Sequence, residues 1–263
     1  MGAAAIARSL IGGAAKRAPQ GRLDLRSESG PLVAVCGLVG GAGTSTLAYL
    51  LARHAALRYE RPVILAELGD HGDVAELTGG GGEYGLAGLV RATAAALPIG
   101  TPYVVGPAGL RVVAAERPAF DCELPLVDEW LKRVLSDARA AHQLVVVDTG
   151  LMSGINVGRL LGRATDVVLV VPAAPTALAR LERLACAGRL PGRATRSSAL
   201  AVVATRPGRP AALKAFRRLA ERHFDRLLLL PHVAAVAAGR LDPDGRELES
   251  IQASFDIVLR GLA

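Results

Sequence analysis

The chain has 263 residues and a formal net charge of +7, with 51% hydrophobic but only 3% aromatic residues. A core of this composition must be built from Ala, Val and Leu, which suits helices that cover a parallel sheet. Three widely separated cysteines argue against a disulfide-stapled secreted protein, and the five scattered histidines give no cluster with metal-ligand spacing.

The first 29 residues differ from the rest of the chain in their pattern. Their apolar run is interrupted by Arg8 and by Gly12-Gly13, and it is too short to cross a bilayer. We predict a flexible basic N-terminal arm over 1–29 and one domain over 30–263. Since no other segment reaches membrane-spanning length without a charge, we expect a cytoplasmic protein with no transmembrane segment. Peripheral contact of the protein with a membrane is kept as an alternative.

From residue 30 onward, short apolar runs alternate with stretches of helical periodicity. The predicted strands cover 31–37, 62–67, 109–115, 144–150, 166–171, 199–205 and 226–231. The predicted helices cover 44–59, 86–97, 125–142, 154–163, 176–188, 209–224 and 246–262, and a flexible glycine-rich loop is expected over 79–85. This alternation is typical of an α/β fold with a three-layer, doubly wound, mostly parallel sheet.

A glycine-rich segment, VCGLVGGAGTST (35–46), connects the first strand to the first helix. Amides at a helix N-terminus bind anions, and glycines let the backbone approach a phosphate. The hydroxyl of Ser45 stands where a P-loop holds Mg²⁺, but Thr44 replaces the loop lysine and Leu38 replaces the first glycine. The candidate phosphate-binding residues are Gly40, Gly41, Ala42, Gly43, Thr44, Ser45 and Thr46. The alternative is a tight turn that binds nothing.

The strand 144–150 ends in a carboxylate, Asp148. Ligands of open α/β sheets gather at the carboxyl ends of the strands, which favours a functional role for Asp148 beside the glycine-rich loop. The alternative is that Asp148 caps the turn that follows its strand.

The loop and much of the remaining chain resemble the ParA/MinD family of deviant Walker ATPases, whose loop reads K-G-G-x-G-K-[ST]. The family loop maps onto 39–45, where the glycines and the hydroxyl are kept and both lysines are lost. In the family, the lysine at the place of Val39 reaches the partner subunit's nucleotide, and the lysine at the place of Thr44 neutralises the β and γ phosphates. GLRVVAA (109–115) resembles a segment of the CpaE/TadZ-like, pilus- and septum-associated branch.

The resemblance implies a P-loop NTPase-like site for ATP or ADP with Mg²⁺, in which Ser45 and Asp148 hold the metal. It implies Asp148 and Asp70 as catalytic carboxylates. Glu67 stands at the first acid of the family's D-x-D switch, whereas a glycine replaces the second. Thr205, followed by Arg206, stands where the family has the Asn that reads adenine.

These departures remove groups that stabilise phosphoryl transfer, so we expect weak or absent ATP hydrolysis. The first hypothesis is a spatial positioning or assembly factor for a pilus, secretion or division machine. Such a factor docks on a protein partner, and formation of a homodimer is a further alternative. The second is an active ATP-dependent switch that recruits a cation from elsewhere. The third is a partition-like protein that binds DNA without sequence specificity.

The third hypothesis depends on a basic stripe between Arg180 and Arg226. This stretch holds twelve Lys or Arg residues against three acids, which leaves a local net charge of +9. One-sided positive charge is the electrostatic footprint of a polyanion partner. Anionic lipid, an acidic protein and a merely solvated arginine-rich surface are the alternatives.

Overall fold

The computed structural model describes residues 30–58, 62–68, 73–115, 128–142, 144–153, 155–191, 197–204, 212–233, 236 and 246–262. Its strands are β1 (Leu32–Gly37), β2 (Val63–Glu67), β3 (Val104–Val105), β4 (Arg111–Val113), β5 (Leu144–Leu151), β6 (Asp166–Pro172), β7 (Ser197–Val203) and β8 (Arg226–Leu230). Its helices are α1 (Thr44–Arg58), α2 (Asp73–Thr78), α3 (Leu86–Ala94), α4 (Asp128–Ala141), α5 (Ile155–Leu161), α6 (Pro175–Cys186), α7 (Leu213–His223) and α8 (Arg246–Arg260).

The strands form a single sheet in the order β3-β4-β2-β5-β1-β6-β7-β8. All neighbouring pairs are parallel except β3–β4, which is antiparallel. The chain runs from β1 toward one side of the sheet and, after β5, continues from β6 toward the other side. The switch point of this doubly wound topology therefore lies at β1, where ligands of such sheets gather.

Two apolar layers cover the faces of the sheet. Alternate residues of β1 face opposite layers, since Leu32 and Ala34 belong to one buried cluster and Val33 and Val35 to the other. Helices α1, α2 and α8 pack on the second face, and α3 to α7 pack on the first. Strands buried on both faces explain the continuous Val/Leu runs in the sequence, and the predicted three-layer, mostly parallel α/β fold is confirmed.

The C-terminal helix α8 is joined to the helix that follows the glycine-rich loop. His54 on α1 lies 2.8 Å from the Asp256 carboxylate on α8, and Arg58 lies 3.6 Å from the same side chain. The buried His54 ring also packs against Phe255, with ring centroids 5.7 Å apart. These contacts fix α1 against the last element of the chain.

Most predicted elements occur within a few residues of their predicted bounds, but some predictions were wrong. The strand predicted over 109–115 is confined to β4, because a 3₁₀ turn at Pro107–Gly109 precedes it and Gly109 has a φ of 73°. The helix predicted over 86–97 ends at Ala94. A hydrogen bond from Leu97 N–H to the Ala92 carbonyl closes it, with Ala96 in the left-handed region. The short elements α2 and β3 were not predicted.

Candidate functional site

The glycine-rich loop joins the buried strand β1 to α1. Gly41 and Gly43 have φ values of 68° and 85°, in the left-handed region where a side chain would be strained. The Leu38 amide donates to the Val170 carbonyl over 2.9 Å, which ties the start of the loop to β6. The Leu47 amide bonds to the Gly43 carbonyl at 2.9 Å and closes the first turn of α1. The loop is thus held at both ends.

The outer side of the loop is open. A Cβ placed on Gly40, Gly41 or Gly43 would meet no atom within 4 Å. Ala42 is buried and packs inward, whereas Ser45 and Thr46 on the first turn of α1 are half-buried. The backbone here has the room and the helix N-terminus that an anion site requires.

Thr44 is the residue that the resemblance in the sequence places at the position of the P-loop lysine. Its side chain is buried, and a Cβ on Gly37 would overlap its hydroxyl. The Thr44 side chain therefore lies beneath the loop against the end of β1. A buried, neutral hydroxyl cannot supply the positive charge that a lysine brings to a phosphate.

Two carboxylates lie next to each other on the neighbouring strands β5 and β2, toward their carboxyl ends. Asp148 and Glu67 are register partners, and they are 2% and 4% exposed. The Leu68 amide donates to the Asp148 carbonyl at 2.8 Å, which continues this pairing beyond β2. The site thus holds two buried acids side by side at the carboxyl edge of the sheet.

One Asp148 oxygen serves the turn that follows its strand. Oδ1 accepts the Gly150 amide at 2.9 Å, and Gly150 has a φ of 61°. Asp148 therefore caps the turn that follows, which is the alternative role that the sequence left open. A carboxylate has about four lone-pair directions, so this bond does not exhaust its capacity as an acceptor.

The buried thiol of Cys36 lies one residue before the end of β1. Burial, together with the negative charge of Asp148, raises the pKa of Cys36 to about 12. The thiol is consequently neutral at physiological pH, which removes thiolate chemistry from this site.

The loop and Asp148 meet at the same edge of the sheet. Val35 of β1 is the register partner of Asp148, and the Met152 amide donates to the Gly37 carbonyl at 3.0 Å. The structure therefore brings together the predicted phosphate-loop residues 40–46 and the predicted metal ligand. Three further predicted site residues lie outside the described residues: Asp70, Thr205 and Arg206.

Two residues that support this geometry were not predicted from the sequence. The absence of a side chain at Gly37 makes room for the Thr44 hydroxyl, and the Thr149 hydroxyl donates to the Val35 carbonyl at 3.1 Å, joining β5 to β1. The only sequence signal for either is its place directly beside the loop or the strand-end acid.

The basic residues of α6 and α7 lie on one layer of the fold, because both helices pack on the same apolar cluster. The exposed cations in the described part of this surface are Arg180, Arg183, Arg189, Lys214, Arg217, Arg218 and Arg222. Phe216, in contrast, is fully buried. Four other arginines of the predicted stripe lie outside the described residues: Arg193, Arg196, Arg206 and Arg209.

The predicted end of the basic stripe at Arg226 was wrong. Its guanidinium is largely buried and pairs with the fully buried Asp166, so this arginine stabilises the fold instead of facing a polyanion. It also donates to the Ser197 hydroxyl at 2.7 Å and to the Val258 carbonyl at 3.1 Å. The exposed basic surface therefore ends with α7.

Within the described ranges, no three His, Cys, Asp or Glu side chains gather into a group that could hold a metal ion by themselves. Across those same ranges, no helix combines the length and the apolar character needed to cross a membrane.

No family model matches the sequence, and no curated protein matches it. Solved structures do resemble the fold. A ParA family ATPase from Chlorobium tepidum TLS is 13% identical, with 87% of this chain and 98% of that chain covered and a TM-score of 0.67. A putative plasmid partition protein from Borrelia burgdorferi B31 bound to AMPPNP is also 13% identical, with 89% and 99% covered and a TM-score of 0.66.

The septum site-determining protein MinD from Pyrococcus horikoshii OT3, complexed with Mg-ADP, is 13% identical. The match covers 87% of this chain and 95% of that chain, with a TM-score of 0.65. At these identities the likeness establishes the fold, which is that of the ParA/MinD P-loop ATPases. The fold implied by the resemblance in the sequence is thereby confirmed.

Proposed function

We propose that this chain, which has the fold of the ParA/MinD ATPases, is a cytoplasmic positioning or assembly factor with weak or no ATPase activity. Its machine is a pilus, a secretion apparatus or a division apparatus, as expected for the CpaE/TadZ-like branch. The observation that carries the proposal is the buried Thr44 hydroxyl at the place of the loop lysine. The anion-binding backbone is kept while the charge needed for phosphoryl transfer is lost.

The residues present fit a bound ATP or ADP. The space around Gly40, Gly41 and Gly43 is open, so the backbone amides of the loop would bind the phosphates there, and Ser45 and Asp148 are the groups that would hold Mg²⁺. When bound, the nucleotide would bring negative phosphates to the N-terminus of α1, where the helix dipole favours them. This chain's own part is to bind and orient the phosphates.

Efficient hydrolysis is not expected from this set of residues. Loss of one preorganised donor to a developing charge costs about 2–4 kcal/mol of transition-state stabilisation, or a factor of roughly 10²–10³ in rate. Two such groups are missing, since Val39 and Thr44 both stand where the related loops carry lysine. Binding without turnover suits a protein that acts by docking.

Calorimetry with Mg-ATP and Mg-ADP, run beside a phosphate-release assay, tests the proposal. We expect weak binding and no phosphate release above the background of a matched Asp148→Ala preparation. Steady turnover that is abolished by Asp148→Ala would refute the inactive-ATPase proposal and favour an active switch.

Thr44→Lys tests where the phosphates bind. We expect this change to raise the affinity for Mg-ATP at least about tenfold, because the long lysine stem can bring a cation from position 44 to phosphates held at the loop, whereas the threonine hydroxyl is buried beneath it. Arg91→Lys on α3, away from the loop, is the control and should leave the affinity unchanged. An unchanged affinity in Thr44→Lys would mean that the loop does not hold the phosphates.

The exposed basic surface of α6 and α7 favours a second candidate, an active ATP-dependent switch that binds DNA without sequence specificity. A DNA retardation assay across a salt series distinguishes the two. DNA binding whose affinity falls steeply with salt, and that is lost in Arg217→Glu with Arg218→Glu, supports the second candidate. Affinity that does not change with salt rules out phosphate contacts.

A further inference from the structure

A cleft of about 480 Å³ lies beside the phosphate loop, between the end of β5 and helices α5 and α6. Its location connects it to the candidate site, because Leu38 opens the loop and Met152 bonds to the carbonyl of Gly37. The apolar side chains that line the cleft are Leu38, Leu151, Met152, Leu161, Leu184 and Leu190. None of the functions described above uses this cleft.

The lining of the cleft includes a large aliphatic side chain that is exposed to water. Leu151, the last residue of β5, is 47% exposed, although residues 144–149 of the same strand are buried. The side chains of Met152, Leu161, Leu184 and Leu190 around it are half-buried. A concave group of partly exposed aliphatic residues is a site where an apolar partner gains free energy by displacing water.

The rim of the cleft is positively charged. Arg180 on α6 and Arg189 after α6 line the cleft and are both exposed, and the described lining residues include no carboxylate. Arg183 adds a further exposed cation on α6, outside the cleft. Charge complementarity therefore requires an occupant that is anionic at its edges and aliphatic at its centre.

The concave shape of the cleft favours one of the possible anionic occupants. A bilayer surface contacts side chains that protrude, whereas Leu151 lines a concave cleft together with residues of α5 and α6. Nucleic acid would find phosphate partners on the rim, but the described lining offers no aromatic side chain for base stacking. A helical peptide in a groove inserts aliphatic side chains at i, i+3, i+4 and i+7 and keeps its charges at the edges.

We propose that the cleft between α5 and α6 binds an acidic amphipathic segment of a partner protein. The partner's leucine-like side chains contact Leu151, and its carboxylates pair with Arg180 and Arg189. This surface gives the proposed assembly factor a way to dock. Binding at the cleft does not require nucleotide. A failure of peptide binding is therefore distinguishable from a failure of the proposed function, which is tested with nucleotide.

Fluorescence polarisation of the full-length protein with a labelled peptide tests the proposal. The probe has leucines at i, i+3, i+4 and i+7 and glutamates elsewhere, and two control peptides replace its glutamates by lysine or its leucines by alanine. We expect the probe to bind with a dissociation constant of order 10 µM or tighter, and each control peptide to bind at least about tenfold more weakly. Failure of the probe to bind, or equal binding of either control, would overturn the proposal.

Three variants locate the binding site. Leu151→Asp and Arg180→Glu should each weaken binding about tenfold or more, since each removes a contact and adds repulsion of the acidic probe. Arg183→Glu is the matched control, because it makes the same charge change on the same helix outside the cleft, and it should weaken binding less than about threefold. Equal losses in Arg183→Glu and Arg180→Glu would show diffuse electrostatics and refute the cleft as the site.

Membranes are the remaining alternative occupant. Sedimentation with vesicles of phosphatidylcholine and phosphatidylserine should leave the protein in the supernatant, and the vesicles should not displace the probe. Vesicle binding that is lost in Leu151→Asp would assign the cleft to lipid and contradict a protein partner. Thermal unfolding curves of the variants that match the parent protein ensure that lost binding is not lost folding.

Discussion

At the scale of single residues, the close packing of Thr44 against Gly37 holds the Thr44 hydroxyl beneath the phosphate loop. At position 44, where the resemblance predicts a lysine in related loops, the threonine hydroxyl lies in space that only a glycine at position 37 leaves free. The packing of Thr44 and the glycine before the loop are therefore coupled. The sequence shows a threonine at this position, but it could not show that the side chain turns inward.

Gly37→Ala should destabilise the protein by about 1–3 kcal/mol, because the new methyl group overlaps the Thr44 hydroxyl. Thr44→Ala removes that hydroxyl, so the double variant should recover much of the loss. Gly40→Ala is the matched control, since its Cβ meets no atom within 4 Å, and it should change stability by less than about 0.5 kcal/mol. Urea unfolding measures all four proteins. Additive losses in the double variant would contradict the contact.

His142 is a buried histidine at the opposite, amino-terminal edge of the sheet. Its pKa is lowered from 6.5 to about 4, chiefly by burial and in smaller part by the positive charge of Arg111, whose guanidinium lies 3.3 Å from Nε2. The Ala138 carbonyl, 2.7 Å from Nδ1, opposes this shift. The neutral ring donates its Nδ1 proton to that carbonyl and accepts from Arg111, which fixes its tautomer.

The His142 pKa makes stability depend on pH with a definite sign. Between about pH 6.5 and 4 the unfolded chain binds a proton at His142 that the folded chain does not, so the free energy of unfolding falls as the pH falls. The loss in the free energy of unfolding that is due to His142 reaches roughly 3 kcal/mol at pH 4. His142→Gln should flatten the curve by that amount in urea titrations at several pH values. Parallel curves for the two proteins would refute the assignment.

At the scale of elements, the pair Asp166–Arg226 joins the first residues of β6 and β8 and brings α8 against them. Arg226 reaches Asp166 on β6, Ser197 on β7 and the Val258 carbonyl on α8. Burial raises the pKa of Asp166, and the charge of Arg226 opposes the rise. Sequence reasoning placed Arg226 on a basic surface because charge along the chain does not reveal burial.

Arg226→Met should destabilise the protein by about 3–5 kcal/mol, because it leaves the buried carboxylate of Asp166 without its cation. Adding Asp166→Leu should restore a large part of that stability, since both charges are then gone. The exposed pair Arg163–Asp128, 2.6 Å apart, is the control, and Arg163→Met should cost less than about 1 kcal/mol. Chemical unfolding tests all three. Equal costs at the two pairs would contradict the role of burial.

The elements themselves were largely predictable because their signals are local. Continuous Val and Leu runs indicated strands buried on both faces, and the amphipathic periodicity of α4 and α7 indicated helices on one face. The two-residue strand β3 and the six-residue helix α2 are too short to carry a periodic pattern. The early end of α3 depends on a left-handed Ala96, which side-chain hydrophobicity does not encode.

At the scale of the whole molecule, the first described residue, Gly30, is hydrogen-bonded to the rest of the domain. The Gly30 amide donates to the Arg139 carbonyl at 2.8 Å, and the Arg139 side chain donates back to the Gly30 carbonyl at 2.7 Å. The Pro31 carbonyl accepts the Val145 amide at 3.0 Å, which joins this segment to β5. These bonds show that residue 30 belongs to the domain, and the boundary after residue 29 stays a prediction.

If the predicted N-terminal arm covers 1–29, its removal should change the free energy of unfolding by less than about 1 kcal/mol. A chain that starts at residue 33 is the matched comparison, because it also loses the Gly30–Arg139 bonds and the fully buried Leu32, and it should be less stable by at least about 2 kcal/mol. Thermal and urea unfolding measure both. A large loss in the first truncation would place the boundary earlier in the chain.

The amino-acid sequence was enough to predict the layered α/β fold, the place of the glycine loop and the absence of lysine from positions 39 and 44. These features depend on local patterns and on residue identity. The folded protein was needed to show that Thr44 turns inward, that Arg226 is buried, and that Leu151, Arg180 and Arg189 border one cleft. Each of these depends on which distant segments the sheet brings side by side, and burial and charge pairing arise only there.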